Sequence, residues 1–198
     1  MKIYVKSVDN FKSQNDSMYI ENGILLSYSG TNNIVSIPDS VTTIGSGAFS
    51  RCTVSDVNIP DSVTTIKDYA FSYCTKLNHI TIPNSVTSIA EGAFYGCSKL
   101  EYINIPYGIT KISRDTFNST GLIDIVIPDS IKSIGRNSFA TCFNLTSIEI
   151  PDSVTYIGRH AFMNCVNLTK VRMPKNLSEE GCEDGAFYGC DSLTIELY

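Results

Sequence analysis

The sequence predicts an α/β solenoid of about seven repeats, and three recurring residue types predict it. Its prolines are separated by 22 or 23 residues and lie at Pro38, Pro60, Pro83, Pro106, Pro128, Pro151 and Pro174. A phenylalanine follows each of the first six prolines by eleven residues, at Phe49, Phe71, Phe94, Phe117, Phe139 and Phe162. A cysteine follows five of these phenylalanines by three residues, and Thr120 takes its place in the remaining case. A fixed period of this length indicates stacked structural units, each of which buries its apolar face against the next.

Each repeat is expected to begin with a short strand. In the third repeat, Ile80 and Ile82 alternate with polar residues, which is typical of a half-buried strand. Pro83 then removes a backbone donor and fixes φ, so the strand should stop there. Val86 and Ile89 point inward again and predict a second extended stretch.

A polar turn is expected directly after each proline. Asp-Ser or Asn-Ser follows most of the prolines, and such short polar side chains bond to neighbouring backbone. The recurring carboxylates are therefore interpreted as caps of this turn, although they also form a possible carboxylate or calcium ladder. They lie at Asp39, Asp61, Asp129 and Asp152.

The third side of each repeat is predicted to be one or two helical or 3-10 turns. Ala93, Phe94 and Cys97 place apolar groups at positions i, i+1 and i+4, a spacing that suits a helix. In the fourth repeat Thr116 and Thr120 replace the alanine and the cysteine, and a weaker core is expected there.

Six of the seven cysteines share one repeat position, which predicts a row of reduced, buried thiols. No pair of cysteines has the spacing of zinc ligands, and free cysteine is among the most readily buried residue types. Disulfides between neighbouring repeats are the alternative, although parallel side chains disfavour their geometry. Cys182 lies outside the row and is predicted to be the most exposed thiol.

The whole chain is read as one domain, residues 1–198, whose two ends differ from its middle. Residues 1–33 form a predicted β cap with a hairpin turn at Glu21–Gly23, residues 34–173 are regular repeats, and residues 174–198 are an irregular last repeat. An acidic insertion at 178–184 lengthens that repeat. Its final strand has no blunting residues, so self-association through the C-terminal edge is expected if the array ends there.

Composition excludes several classes of function. The formal net charge is -5 and the sequence contains no cluster of Lys or Arg, which argues against a nucleic-acid partner. No apolar run is long enough to cross a bilayer, so no membrane insertion is expected. The first residues lack the apolar core of a secretory signal, which leaves a cytoplasmic location as an alternative.

No catalytic or metal-binding constellation is present in the sequence. The two histidines, His79 and His160, lie at different repeat positions without a partner at metal-ligand spacing. No serine lies in a nucleophile-elbow motif, and there is no phosphate-binding loop. The chain is therefore predicted to be no enzyme and to use neither a cofactor nor a metal.

The repeat unit Leu-x-x-Ile-x-Ile-Pro-Asp/Asn-Ser-Val-Thr-x-Ile-Gly-x-x-Ala-Phe-x-x-Cys resembles the BspA-like leucine-rich repeat, also called the Treponema pallidum type. The resemblance is carried by residues 59–74, 82–97, 127–142 and 150–165. It implies a curved leucine-rich repeat with a parallel β-sheet on its concave side, and surface or secreted proteins of which several are adhesins. The departures are Thr120, the pair Tyr107-Gly108 after Pro106, and the enlarged last repeat.

The residues that are free to differ between repeats lie four and two places before each proline, on the outward side of the strand. This face, which the resemblance makes the concave one, is the predicted partner-binding surface. It comprises Asp56, Asn58, His79, Thr81, Tyr102, Asn104, Asp124, Val126, Ser147, Glu149, Lys170 and Arg172. Its middle is aromatic and its far end is expected to be basic, an arrangement typical of protein-binding surfaces.

The predicted function is therefore a non-enzymatic, adhesin-like interaction module at the cell surface or secreted, with a protein or glycan partner. A structural spacer or self-assembling repeat is one alternative, in which the outward face has no partner. An intracellular interaction scaffold is another, since unpaired cysteines are typical of reducing compartments.

Overall fold

The computed structural model describes residues 3–5, 17–177 and 181–198. It shows a β-solenoid of seven coils, numbered here 1 to 7 after the proline that each contains. Residues 1–2 and 6–16 of the predicted cap and residues 178–180 of the acidic insertion lie outside the described residues.

An antiparallel cap precedes the coils. It consists of β1 (Ile3–Val5), β2 (Met18–Glu21) and β3 (Ile24–Tyr28), and β1 and β3 each pair with β2. Between β2 and β3, Asn22 and Gly23 both have positive φ, 51° and 75°. Two consecutive residues with positive φ make the hairpin turn that matches the twist of the flanking strands. The predicted hairpin is therefore confirmed.

Two sets of short strands run along the solenoid. The proline ladder contains the strands that precede the prolines, together with the last strand of the chain described. It consists of β4 (Ile34–Ser36), β6 (Asp56–Asn58), β8 (His79–Ile80), β10 (Tyr102–Ile103), β13 (Ser147–Glu149), β15 (Lys170–Met173) and β16 (Thr194–Leu197). The second ladder continues from β3 through β5 (Thr43–Ile44), β7 (Thr65–Ile66), β9 (Ser88–Ile89), β11 (Lys111–Ile112), β12 (Ser133–Ile134) and β14 (Tyr156–Ile157).

Both ladders pair in parallel, and both are interrupted near coil 4. In the second ladder, β3, β5, β7 and β9 form one run and β11, β12 and β14 another. In the proline ladder, β4 pairs with β6, β8 with β10, and β13 with β15 and β16. Asp124–Val126, which precedes Pro128, forms no strand, although its side chains keep the alternation of the ladder.

The third side of each coil is not helical, and the prediction of helical turns is wrong. Two residues in every coil, two places before and two places after the phenylalanine, have positive φ, which no α-helix of L-residues tolerates. They are Gly47 and Arg51, Tyr69 and Tyr73, Gly92 and Gly96, Asp115 and Ser119, Asn137 and Thr141, His160 and Asn164, and Gly185 and Gly189. We call this segment the phenylalanine turn.

Backbone hydrogen bonds join the phenylalanine turns of all neighbouring coils. Phe71 N–H, for example, donates to the carbonyl of Ala93 in the next coil at 2.8 Å, while Ser72 N–H donates to Tyr69 within its own coil at 3.0 Å. Alternate amides therefore bond along the solenoid axis and within the coil. An α-helix would have used all of these donors inside one coil.

The phenylalanines form a continuous stack through the core. Six consecutive ring pairs, from Phe49 to Phe187, have centroids 5.0 to 5.8 Å apart and lie within 20° of parallel. The first six rings are almost fully buried, and Phe187 of coil 7 is half-buried. Parallel rings at this separation are offset-stacked, so the row contributes aromatic pairing in addition to its burial.

All seven cysteines are free thiols, as predicted. Those of the buried row donate to the carbonyl of the phenylalanine one coil earlier, as Cys74 does to Phe49 at 3.0 Å and Cys97 to Phe71 at 3.1 Å. Thr120 instead donates to Phe117 of its own coil at 2.7 Å. Cys182 is only half-buried, but so is Cys52 at the first position of the row.

The aspartates that follow the prolines do not cap the turn, so that interpretation is wrong. The turn is closed by backbone: Val63 N–H donates to Pro60 at 3.1 Å, and the same bond recurs in every coil. The serine of the Asp-Ser or Asn-Ser pair reaches the preceding coil in two cases: Ser62 donates to the carbonyl of Val41 at 2.7 Å, and Ser85 to that of Val63 at 2.8 Å. The four carboxylates are exposed and make no hydrogen bond or ion pair with any described residue.

Coil 4 replaces apolar contacts with a buried polar network. Asp115, only 6% exposed, accepts from Arg114 Nε at 3.0 Å and from Asn118 Nδ2 at 2.9 Å. Thr116 donates to the carbonyl of Ser113 at 2.9 Å. These buried polar side chains therefore have partners, which offsets much of the cost of removing them from water.

Candidate functional site

The twelve residues predicted to bind a partner lie on one face, along the outward side of the proline ladder. Eleven of them are exposed and Asp56 is half-buried. The residue between the members of each pair is buried in every coil: Val57, Ile80, Ile103, Ile125, Ile148 and Val171. The period-2 alternation of a strand thus separates core from surface as expected.

The middle of this face is apolar and exposed. His79 and Tyr102 are direct neighbours in the β8–β10 pair, and Tyr102 is 52% exposed. Val126 and Tyr107 are each 77% exposed, which is a large fraction for apolar side chains. Exposed aromatic and aliphatic groups at the centre of a surface are typical of interaction sites.

Asn104, one of the twelve, has a role within the solenoid. Its Oδ1 accepts from Ile82 N–H at 2.8 Å, and its Nδ2 donates to the carbonyl of Ile82 at 2.7 Å. The side chain thereby occupies both backbone groups of Ile82, as an adjacent strand would. Its hydrogen-bonding groups are mostly used before any partner arrives.

The far end of the face is neutral, whereas a basic end was expected. Lys170 Nζ lies 3.0 Å from Glu196 Oε1, and Arg172 Nη1 lies 2.7 Å from Glu149 Oε1. Glu196 stands opposite Arg172 in the β15–β16 register. Strand pairing therefore places carboxylates beside both cations.

Three adjoining clefts follow this face from coil 2 to coil 7. Their volumes are about 490, 420 and 860 Å³, and neighbouring clefts share lining residues: His79 and Asn104 line the first two, and Asp124 and Val126 line the second and third. The outward side chains of the proline ladder and the residues after the prolines line them together. We call the three clefts the acidic groove.

Carboxylates dominate the charge of the acidic groove. Its lining includes six of them, Asp56, Asp61, Asp124, Asp129, Glu149 and Asp152, against one permanent cation, Arg172. Glu149 is paired with that arginine, and the other five make no hydrogen bond or ion pair with described residues. Burial, and then the nearby carboxylates of Asp152 and Glu149, raise the pKa of the Tyr198 phenol. The groove therefore has a negative potential.

One wall of the largest cleft is held by a small network. Tyr198 donates its hydroxyl hydrogen to the carbonyl of Ile150 at 2.9 Å. Arg172 lies over the Tyr198 ring, 4.6 Å from its centroid, while also pairing with Glu149. A cation over an aromatic face is attractive, so the three side chains support one another.

Sequence reasoning missed several residues of the groove. Asp61, Asp129 and Asp152 were assigned to the turn, although a carboxylate at the same position of several repeats is itself a sign of a charged row. Tyr107 was noted only as a departure from Asp-Ser, and no sequence signal brings Tyr198 to coil 6. These residues come from the position after the proline and, for Tyr198, from the residue that follows the last strand.

The described residues contain no group of three His, Cys, Asp or Glu side chains arranged to hold a metal ion. His79 lines the groove, whereas His160 lies on a phenylalanine turn, where its ring covers Gly185 of the next coil. Within the same part of the chain, no helix has both the length and the apolar composition needed to cross a membrane.

Comparison with known proteins identifies the repeat. The family model described as the BspA type leucine rich repeat region (6 copies) matches residues 20–144 and 132–197. The chain belongs to the BspA-type leucine-rich repeat family. The expected resemblance is thus confirmed, and membership of this repeat family indicates a protein-interaction module. The family is generally non-enzymatic.

Solved structures of bacterial leucine-rich repeat proteins have similar folds. A protein from Eubacterium ventriosum is 27% identical over 93% of this chain and 51% of its own, with a TM-score of 0.79. The T. pallidum leucine-rich repeat protein is 29% identical over 88% of this chain and 73% of its own, with a TM-score of 0.58. This BspA-type chain therefore spans about half the length of the Eubacterium protein. Among curated proteins, none matches its sequence.

Proposed function

We propose that this BspA-type chain is an adhesin-like interaction module, at the cell surface or secreted, that binds a protein or glycan partner through the acidic groove. The observation that carries the proposal is the exposure of Tyr102, Tyr107 and Val126 along a groove that follows six positions of the proline ladder. Large apolar side chains in a concave, otherwise polar surface mark interaction sites more often than chance exposure does.

The construction of the coil supports this assignment. Stacking depends on the inward side chains, the phenylalanine row and the backbone bonds of the phenylalanine turns. Apart from Asn104, the outward residues of the proline ladder contribute little to holding the coils together, so they are free to change without loss of the fold. A binding surface is best placed where the sequence is least constrained by folding.

The location at the cell surface rests on what the family resemblance implies. The alternative of an intracellular scaffold is favoured by seven free thiols, which are more typical of reducing compartments. Fractionation of the native source with an antibody to the chain distinguishes the two. Recovery only in the cytosol would reject the adhesin-like role.

Self-association is a second candidate function, and the C-terminal edge favours it. All four residues of β16 are exposed, and Ile195 and Leu197 are apolar. No described residue pairs with the outer edge of β16. Where no further coil follows β16, an unpaired strand edge with apolar side chains is a ready template for another chain. Sedimentation of the chain and of an I195K/L197K variant tests this, because only the unaltered edge should assemble.

The groove is tested with a matched pair of double variants. Y102A/V126D alters the groove, and Y188A/V166D alters exposed residues of the same types elsewhere. The unaltered chain is first screened against immobilised extracellular-matrix proteins and a glycan array, and each ligand found is measured again with both variants. We expect the groove variant to weaken binding by about tenfold or more, as removal of hot-spot residues does, and the control to bind normally. If only the control variant loses binding, the binding site lies outside the acidic groove.

A further inference from the structure

The acidic groove combines two kinds of side chain that have no partner within the chain. Five carboxylates in its lining make no hydrogen bond or ion pair with described residues. Between them lie exposed apolar groups, above all Val126, which lines both the second and the third cleft. Neither kind is needed for stacking of the coils.

Resting on the proposed function, we propose that the groove binds an extended cationic peptide segment, in which lysine or arginine side chains alternate with apolar ones. The cations would meet the carboxylates, and an apolar side chain would pack on Val126 and Tyr102. Charge complementarity identifies this occupant, since the lining offers six carboxylates against one arginine that is already paired.

The positions of the carboxylates favour a chain of several cations over a single ion. Asp129 and Asp152 occupy the same position of coils 5 and 6, and neighbouring strands are about 4.8 Å apart. Two carboxylates so placed repel one another, and a cation between them relieves the repulsion. The groove crosses about five strand spacings, roughly 24 Å, and an extended peptide of six residues, about 20 Å long, covers most of it.

A divalent cation is a poorer fit to the same carboxylates. Calcium requires six to eight oxygen ligands at one point, as a general rule, whereas no three acidic or histidine side chains of the described chain converge on one position. Ammonium and guanidinium groups need only one carboxylate each. Spaced carboxylates separated by apolar groups therefore fit a peptide better than a metal ion.

The probe is a fluorescein-labelled hexapeptide of alternating lysine and leucine, with binding followed by fluorescence anisotropy. Two control peptides have glutamate in place of lysine, or serine in place of leucine. We expect the lysine–leucine peptide to bind, the glutamate peptide not to bind, and the lysine–serine peptide to bind more weakly. Because exposed charge pairs are screened, affinity should fall severalfold between about 0.05 M and 0.3 M salt.

Two triple variants separate the groove from net charge. D124N/D129N/D152N removes three of the five unpaired carboxylates of the groove, and D39N/D184N/D191N removes three exposed aspartates outside it, so each changes the net charge by the same amount. We expect the groove variant to bind the peptide about tenfold more weakly, because it loses three weak charge pairs. The control variant should lose less than twofold in affinity. Circular dichroism confirms that both remain folded.

Equal losses in the two triple variants would overturn the proposal, because attraction to the overall negative charge would then explain the binding. Equal binding of the lysine–leucine and lysine–serine peptides would show that the apolar side chains do not contribute, and would refute their proposed packing on Val126 and Tyr102. If the lysine–leucine peptide fails to bind while Y102A/V126D still abolishes binding of a matrix or glycan ligand, the cationic occupant is wrong and the proposed function stands.

Discussion

The phenylalanine stack offers a quantitative test of how the solenoid is held together. Phe94 is fully buried, with its ring centroid 5.4 Å from that of Phe71 and 5.8 Å from that of Phe117. Phe187 in coil 7 is half-buried and, among the described residues, stacks only on Phe162, at 5.1 Å. The same substitution at these two positions therefore removes two ring pairs in one case and one in the other.

Leucine is the substitution to make, because it keeps most of the apolar contact and removes the ring. An aromatic pair contributes roughly 0.5–1.5 kcal/mol beyond its buried area. For Phe94→Leu, two pairs give about 2 kcal/mol, and the space left in an enclosed core adds about 1 kcal/mol. For Phe187→Leu, one pair gives about 1 kcal/mol and solvent fills the space. The expected ratio is about three.

Urea unfolding followed by far-ultraviolet circular dichroism measures both free energies of unfolding, and the urea dependence of each shows whether the transition stays cooperative. Phe94→Ala, expected to cost about 4 kcal/mol, checks that the site is enclosed. Equal losses for the two leucine variants, or a loss below about 0.5 kcal/mol for Phe94→Leu, would show that ring stacking contributes little.

Three further experiments test other parts of the coil. Gly92→Ala is expected to lower the melting temperature more than Gly47→Ala, although both glycines have positive φ. A Cβ added at Gly92 would lie 2.3 Å from the Tyr69 ring, whereas a Cβ added at Gly47 meets nothing closer than 3.8 Å, so Tyr69→Ala should remove the difference. Burial raises the pKa of the Cys52 thiol to about 11, so at pH 8 a thiolate-specific reagent should react about a hundredfold more slowly than with free cysteine, and faster as pH rises. Asn104→Ala should cost about 1–2 kcal/mol in urea unfolding, because two hydrogen bonds to backbone are lost.

The repeat period predicted the coil well because core positions leave a periodic record. The buried phenylalanines, the free thiols and the alternation along the proline ladder all follow from residues that recur every 22 or 23 positions. The apolar pattern at i, i+1 and i+4 fits a helix and a phenylalanine turn equally, so it could not distinguish them. The residues that distinguish a phenylalanine turn from a helix are those with positive φ. Many of them are Gly, Asn or Asp, such as Gly92, Asn137 and Asp115.

The candidate site was only half predictable, for a related reason. Outward positions such as Tyr102 and Val126 could be read from the strand period. The neutral charge of the far end could not be predicted, because Glu196 belongs to the irregular last repeat and its place beside Arg172 depends on strand register. Likewise, Asp129 and Asp152 face the groove because backbone groups close their turns, leaving the carboxylates unused.

The three sides of the coil contribute differently to stacking, and the difference explains where a binding surface can form. Phenylalanine turns are joined by at least two backbone hydrogen bonds at every one of the six coil interfaces. The proline ladder has no strand at Asp124–Val126 and no pairing between β6 and β8. Coils 2 to 6 are therefore held mainly by the core, the phenylalanine turns and the second ladder. Because the proline ladder is the least needed for cohesion there, its side chains can present carboxylates and apolar groups to a partner without loss of the fold.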